Sequence, residues 1–209
     1  VPADVMDEEW LLSAEQICSL LKAIRGNMGG HHSVYPFMRT VADLALRPSE
    51  AHVLRVSDVV LSEGGEASLT ARHKGAERKV PLQSQIVEFL REWINEAGLQ
   101  EGELLFPGVH DRPLMASTYM RIWEQAQEAA LPRDELYTWR LGEPVTILLE
   151  SCLVMWLKMG ISPVTVAEWA GVSPKWLALR YPYCFRTEEA EAGSEHLTKA
   201  TALPGSLSS

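Results

Sequence analysis

"LALRPSEAHVLRVSDVVL" (residues 44–61) contains the change of period on which the fold turns. It begins as the end of an apolar run, "VYPFMRTVADLAL" (34–46). Apolar residues there are too dense for a single stripe, so a largely buried helix entered through Pro36 is predicted. Pro48 stops that helix, and "SEAHVLRV" (49–56) reads as one or two further helical turns. Then the period shortens. "DVVL" (58–61), "EASLTAR" (66–72) and "RKVPL" (78–82) are brief, β-branched and separated by "SEGG" and "HKGAE". Three antiparallel strands joined by two tight turns follow from that pattern.

Outward in both directions the helical period returns. "SAEQICSLLKAI" (13–24) opens with Ser13 and Gln16 at capping-box spacing and carries apolar residues at 17, 20, 21 and 24. "QIVEFLREWI" (85–94) places Ile86, Phe89, Leu90, Trp93 and Ile94 on one face. "STYMRIWEQAQEAA" (117–130) is a helix with Ser117 as its expected cap. "PVTILLESCLVMWLKM" (144–159) reads as a buried helix ending at Gly160. Ser162-Pro163 and Ser173-Pro174 are twin starts for two short helices, with Gly171 closing the first and Pro182 stopping the second. The expected fold is mainly α with a small three-stranded antiparallel β-sheet. Its expected parts are an acidic linker over 1–10, one domain over 11–186 and a mobile tail over 187–209.

Bulk composition narrows the function classes. An apolar content of 46% and a charged content of 22% suit a soluble globular chain. The longest apolar run is interrupted by Glu150 and Ser151, which excludes a membrane span there. Cys18, Cys152 and Cys184 are odd in number and scattered, which points to buried thiols in a reducing cytoplasm. His31-His32 lacks any partner at ligand spacing, and no metal is expected. Val1 in place of an initiator Met points to a processed chain or a piece of a longer one. The net charge of −9 opposes an anionic partner in bulk, but both ends of the chain hold much of it. A basic cluster, Arg72, Lys74, Arg78 and Lys79, remains in "ARHKGAERK" (71–79).

The order of these parts, and the words in them, resemble the catalytic domain of the tyrosine recombinase (phage integrase) family over residues 11 to about 185. "LALRPSEAHVLRVSDVVL" resembles the family's first box, "KGAERKVPL" (74–82) its lysine hairpin and "LLFPG" (104–108) its L-F-P. "WLKMGISPVTVAEWAGVSPKWLALRY" (156–181) follows its final box without a gap. The resemblance implies DNA strand cleavage and rejoining through a 3′-phosphotyrosine, on double-stranded DNA, with no metal and no cofactor. Charge growing on the non-bridging phosphate oxygens calls for guanidinium clamps. The departing 5′-oxygen calls for a general acid, and a tyrosine of ordinary pKa near 10 calls for a cationic site.

Carried over by position, Arg47 matches the first clamp, Glu50 its brace, Lys74 the general acid and Tyr181 the nucleophile. Tyr183 lies out of register. Arg47 also has a plainer reading, as an arginine capping its helix and pairing with Glu50 one turn on. Arg72, Arg78, Lys79, Lys175 and Arg180 are the expected DNA-contacting cations. Two boxes depart from the pattern. Val172 stands where a histidine or tryptophan should follow Gly171. In the ungapped register the second box falls on Thr146 and Leu149, and its arginine is gone. The alternative register uses "YTWR" (137–140), with Arg140 as the second clamp, at the cost of a nine-residue insertion.

Three functions therefore remain open: a working recombinase, a catalytically inactive DNA-binding relative, and a helix-turn-helix transcription factor built on "VTVAEWAGVSPKWLALRY" (164–181). The resemblance also implies an N-terminal DNA-clamping domain outside this sequence, so that either a fragment or weak binding of DNA from one side is expected, and assembly as a homo-oligomer on DNA.

Overall fold

The computed structural model describes residues 4–26, 32–62, 66–140 and 142–185. The Gly-rich stretch at 27–31, residues 63–65 of the first turn and the tail expected over 187–209 lie outside them.

Helix α1 (Ala14–Gly26) starts as its sequence dictates. The Gln16 amide donates to Ser13 Oγ at 3.1 Å, and the Ser13 amide donates to Gln16 Oε1 at 2.9 Å. Helix α2 (Val34–Leu44) is buried nearly all round, including Phe37, Met38 and Val41. Ala45 then takes a left-handed φ of +47°, which turns the chain sharply and leaves Arg47 extended as the residue before α3 (Pro48–Ala51). This reversal is what separates Arg47 from the buried helix before it.

The sheet forms in the order β1-β2-β3, all antiparallel, from β1 (Val59–Val60), β2 (Ser68–His73) and β3 (Ala76–Pro81). His73 pairs with Ala76, so Lys74 and Gly75 alone make the turn, with φ of +49° and +80°. A two-residue hairpin turn demands positive φ at both centres, which glycine adopts freely and lysine does not. Leu69, Ala71 and Val80 are buried under the sheet.

After α4 (Ser84–Ala97) the chain enters α5 (Ala116–Ala130), which packs along α1. Met115 precedes this helix, so Ser117 lies in its first turn rather than capping it. A short helix, α6 (Arg133–Glu135), runs into a wide π-type turn over Leu136–Arg140. Helix α7 (Thr146–Lys158) lies against α2 and buries Leu148, Cys152 and Leu153, forming the centre of the core. Both expected serine caps are present. Ser162 Oγ accepts from the Thr165 amide at the start of α8 (Pro163–Ala170), and Ser173 Oγ from the Trp176 amide at the start of α9 (Pro174–Arg180). Gly171, at φ +65°, joins the two, and a Cβ there would lie 3.1 Å from the Arg78 side chain. Helix α8 packs on both β3 and α7, which fixes the hairpin against the helical body.

The N-terminal segment differs from the expected linker. From Asp4 onward it lies as a strap on the body: the Met6 amide donates to the Arg180 carbonyl and the Leu12 amide to Ser151 Oγ, both at 2.9 Å. Glu8 pairs with Lys158. Among the described residues no helix is long and apolar enough to cross a membrane, and no three His, Cys, Asp or Glu side chains are grouped to hold a metal ion.

Candidate functional site

A cavity of about 880 Å³ opens where α3, the hairpin turn, α5, the start of α7 and the α8–α9 turn converge. Arg47 and Lys74 both line it, so the structure brings these two sequence-predicted residues together.

Arg47 is placed by a small buried network. Its backbone N–H donates to Glu50 Oε2 at 2.8 Å, and its Nη1 donates to Glu50 Oε1 at 3.0 Å and to the Ala170 carbonyl at 3.3 Å. Glu50 is wholly buried and also receives Arg78, whose Nη2 donates to Oε2 at 2.9 Å and whose Nη1 donates to Oε1. Burial alone would raise the Glu50 pKa. The hydrogen bonds and charges of Arg78 and Arg47 outweigh it and hold the carboxyl below its ordinary range. The two readings of Arg47 thus coexist: it pairs with Glu50 across one helical turn, and it still faces the cavity. Lys74, on the turn, is exposed.

Other parts of the lining are different in kind. Thr146, Leu149 and Val172 all line the cavity, which is the arrangement of the ungapped register. Leu149 and Val172 carry no hydrogen-bond donor on their side chains.

Arg140 is not in this cavity wall. It is 1% exposed and fully engaged elsewhere. Its Nε donates to Glu135 at 2.7 Å, its Nη1 to Glu143 at 3.2 Å and to the Trp10 carbonyl, and its Nη2 to the Leu11 carbonyl at 3.1 Å. Arg140, expected as a second clamp, therefore does not stand at the cavity here: two carbonyls of the strap and two carboxylates hold its guanidinium in the interior. Glu143 itself lines the cavity, and burial raises its pKa against the opposing pull of Arg140.

Tyr181, expected as the nucleophile, is not among the residues lining the cavity. Its side chain is 0% exposed, packs edge-on to Trp176 and Tyr183, and its hydroxyl donates to Glu150 Oε2 at 2.6 Å. Burial and the adjacent Glu150 carboxylate push its pKa far above that of a free tyrosine. That is the reverse of what a nucleophilic phenolate needs, because ionisation would set two negative charges together. The Tyr183 hydroxyl is buried without a partner among the described residues.

The other cations are mostly spoken for. Arg72 is bound to Asp58 and Glu77, Arg78 to Glu50, and Arg180 to Glu150 at 2.9 and 3.1 Å and to the Asp4 carbonyl. Lys79 and Lys175 are exposed. Sequence reasoning missed Glu150, the residue that ties Arg180 and Tyr181 together. Its signal was present, since it is the one charge inside "VTILLESCLVMWL" (145–157), and a charge in a buried helix needs a partner.

The sequence profile of the Phage integrase family matches residues 11–137. No curated protein matches the sequence. Among solved structures, the chain is similar to the XerH site-specific recombinase in its post-cleavage complex with palindromic difH substrate. That match has a TM-score of 0.66 and 19% identity and covers 92% of this chain and 53% of that one. It is similar to the XerA recombinase, with a TM-score of 0.65, 16% identity and coverage of 87% and 63%. It is also similar to the catalytic domain of bacteriophage HP1 integrase, with a TM-score of 0.61, 18% identity and coverage of 87% and 93%. The chain thus spans about half the length of the XerH recombinase and nearly all of the HP1 catalytic domain. On the match across residues 11–137, the chain belongs to the phage integrase family.

Proposed function

We propose that this chain is a DNA-binding member of the family that does not cleave DNA. The observation that carries the reading is the Tyr181 hydroxyl, buried and donating to Glu150, in a site whose second-box position holds Leu149. Loss of one preorganised donor to a developing oxyanion costs about 10²–10³ in rate, and here both Leu149 and Val172 offer none. A working recombinase would need Arg140 freed from Glu135, Glu143 and the strap, and Tyr181 freed from Glu150. The helix-turn-helix reading fares less well, because Arg180 is tied to Glu150 and leaves Lys175 as the exposed cation of α9.

DNA binding draws support from family membership and from relatives solved on DNA, such as the XerH complex with difH. Exposed Lys74, Lys79 and Lys175, with the partly exposed Arg47, suit about three or four phosphate contacts. That corresponds to a slope of log K against log salt of about −3.

The test is duplex-DNA binding across a salt series, together with covalent capture on nicked DNA substrates. The expected result is weak, salt-sensitive binding, unchanged in Tyr181→Phe, with no covalent adduct in either protein. A covalent adduct lost in Tyr181→Phe would overturn the inactive assignment. Binding indifferent to salt, or none, would overturn the DNA role.

A further inference from the structure

The cavity that a phosphate would occupy in a working recombinase has been rebuilt with mixed chemistry. At one end, Arg47 Nη1 is committed to Glu50 and Ala170, while its Nε and Nη2 have no hydrogen-bond partner among the described residues. Lys74, which lines the same cavity, has no ion pair or hydrogen bond among the described residues, and it holds a strained positive φ at the turn. The lining also includes apolar side chains: Leu149, Leu153, Val172 and Trp176. The acidic residues of the wall are largely answered from behind, Glu150 by Arg180 and Tyr181, and Glu143 by Arg140. Glu124 is exposed and so remains hydrated.

We propose that this cavity binds a small amphipathic anion, its charged head on Arg47 and Lys74 and its apolar body on Leu149, Leu153, Val172 and Trp176. A bare phosphodiester would set its oxygens against leucine and valine, losing water without gaining a hydrogen bond there. A carboxylate on a hydrocarbon or aryl body matches both halves of the cavity. Its head takes the free guanidinium and ammonium donors, and its body replaces water on the apolar side chains. A volume of about 880 Å³ lies within the usual range of small-molecule sites, about 300–1,000 Å³. The proposal does not rest on the DNA reading, since the ligand would bind whether or not DNA does.

The experiment titrates the whole chain, without DNA, with three probes carrying an unbranched ten-carbon chain: decanoate, decanol and decyltrimethylammonium. Trp123 and Trp176 line the cavity and report occupancy by fluorescence. Decanoate is expected to bind at least about tenfold more tightly than decanol, the margin of a charge-assisted hydrogen bond. Lys74→Gln, on an exposed turn, is expected to erase most of that margin and leave decanol unchanged. Leu149→Asp is expected to weaken both. Equal binding of decanoate and decanol, or an advantage unmoved by Lys74→Gln, would overturn the anion site. Tighter binding of decyltrimethylammonium would overturn it in favour of the acidic wall. A second titration with duplex DNA present separates the two readings: competition requires both sites, whereas decanoate binding alone survives failure of the DNA role.

Discussion

Glu50 shows how one side chain can hold a site together. It is buried without exposure, caps the Arg47 amide, pairs with Arg47 and Arg78, and through Arg78 reaches the α8 carbonyl of Trp169. Its carboxyl titrates below the ordinary glutamate value in the folded chain. A depressed folded pKa contributes stability that is fully present above the unfolded pKa and is lost as pH falls through the folded one. Glu50→Gln would leave Arg78 largely buried without its counter-charge. It is expected to cost about 3–5 kcal/mol in urea unfolding at neutral pH. The wild-type chain should lose part of this advantage on acidification below the ordinary glutamate range, so the gap between the two proteins narrows. A gap constant with pH would mean that Glu50 acts through packing instead of charge.

At the scale of elements, the β2–β3 hairpin is built to present Lys74 and not to be as stable as it could be. Gly75 accepts φ of +80° at little cost, whereas Lys74 at +49° sits in a region that asparagine tolerates better. Lys74→Asn is therefore expected to raise stability by about 0.5–1 kcal/mol in denaturant unfolding. A neutral or destabilising result would show that the lysine side chain makes stabilising contacts in the turn. The same turn lies over the α8–α9 junction, where Gly171 leaves room for Arg78 and the Ser162 and Ser173 caps fix both helix starts.

Over the whole molecule, the strap and the C-terminal helices form a single interlocked unit. Arg140 holds the carbonyls of Trp10 and Leu11, Arg180 holds that of Asp4, and Lys158 pairs with Glu8. Arg140→Met would leave Glu135 and Glu143 without their shared counter-charge, at an expected cost of about 3–5 kcal/mol. Hydrogen exchange should then show the Met6 and Leu12 amides opening well before the core of α2 and α7. If those amides keep their protection, the strap is held by its apolar contacts and not by Arg140. The same arrangement keeps Tyr181 buried, since Arg180 and Tyr181 share the Glu150 carboxylate.

The features legible in the chain alone were local and periodic. The helix starts at Ser13, Ser162 and Ser173, a hairpin turning within "HKGAE" (73–77), and the buried character of α2 and α7 all follow from neighbours a few residues apart. The family words placed Arg47 and Lys74 at one cavity because their spacing is set by those same elements. The fate of each long side chain was settled by packing. Arg140 and Tyr181 carry the right chemistry in the sequence, and so do Arg78 and Arg180. Whether a guanidinium meets a phosphate or a buried carboxylate depends on partners far along the chain: Glu50 for Arg78, Glu150 for Arg180 and Tyr181, and the strap for Arg140. Periodicity says which face of a helix is apolar. It does not say which distant charge that face will meet, because that contact exists only once the helices have packed.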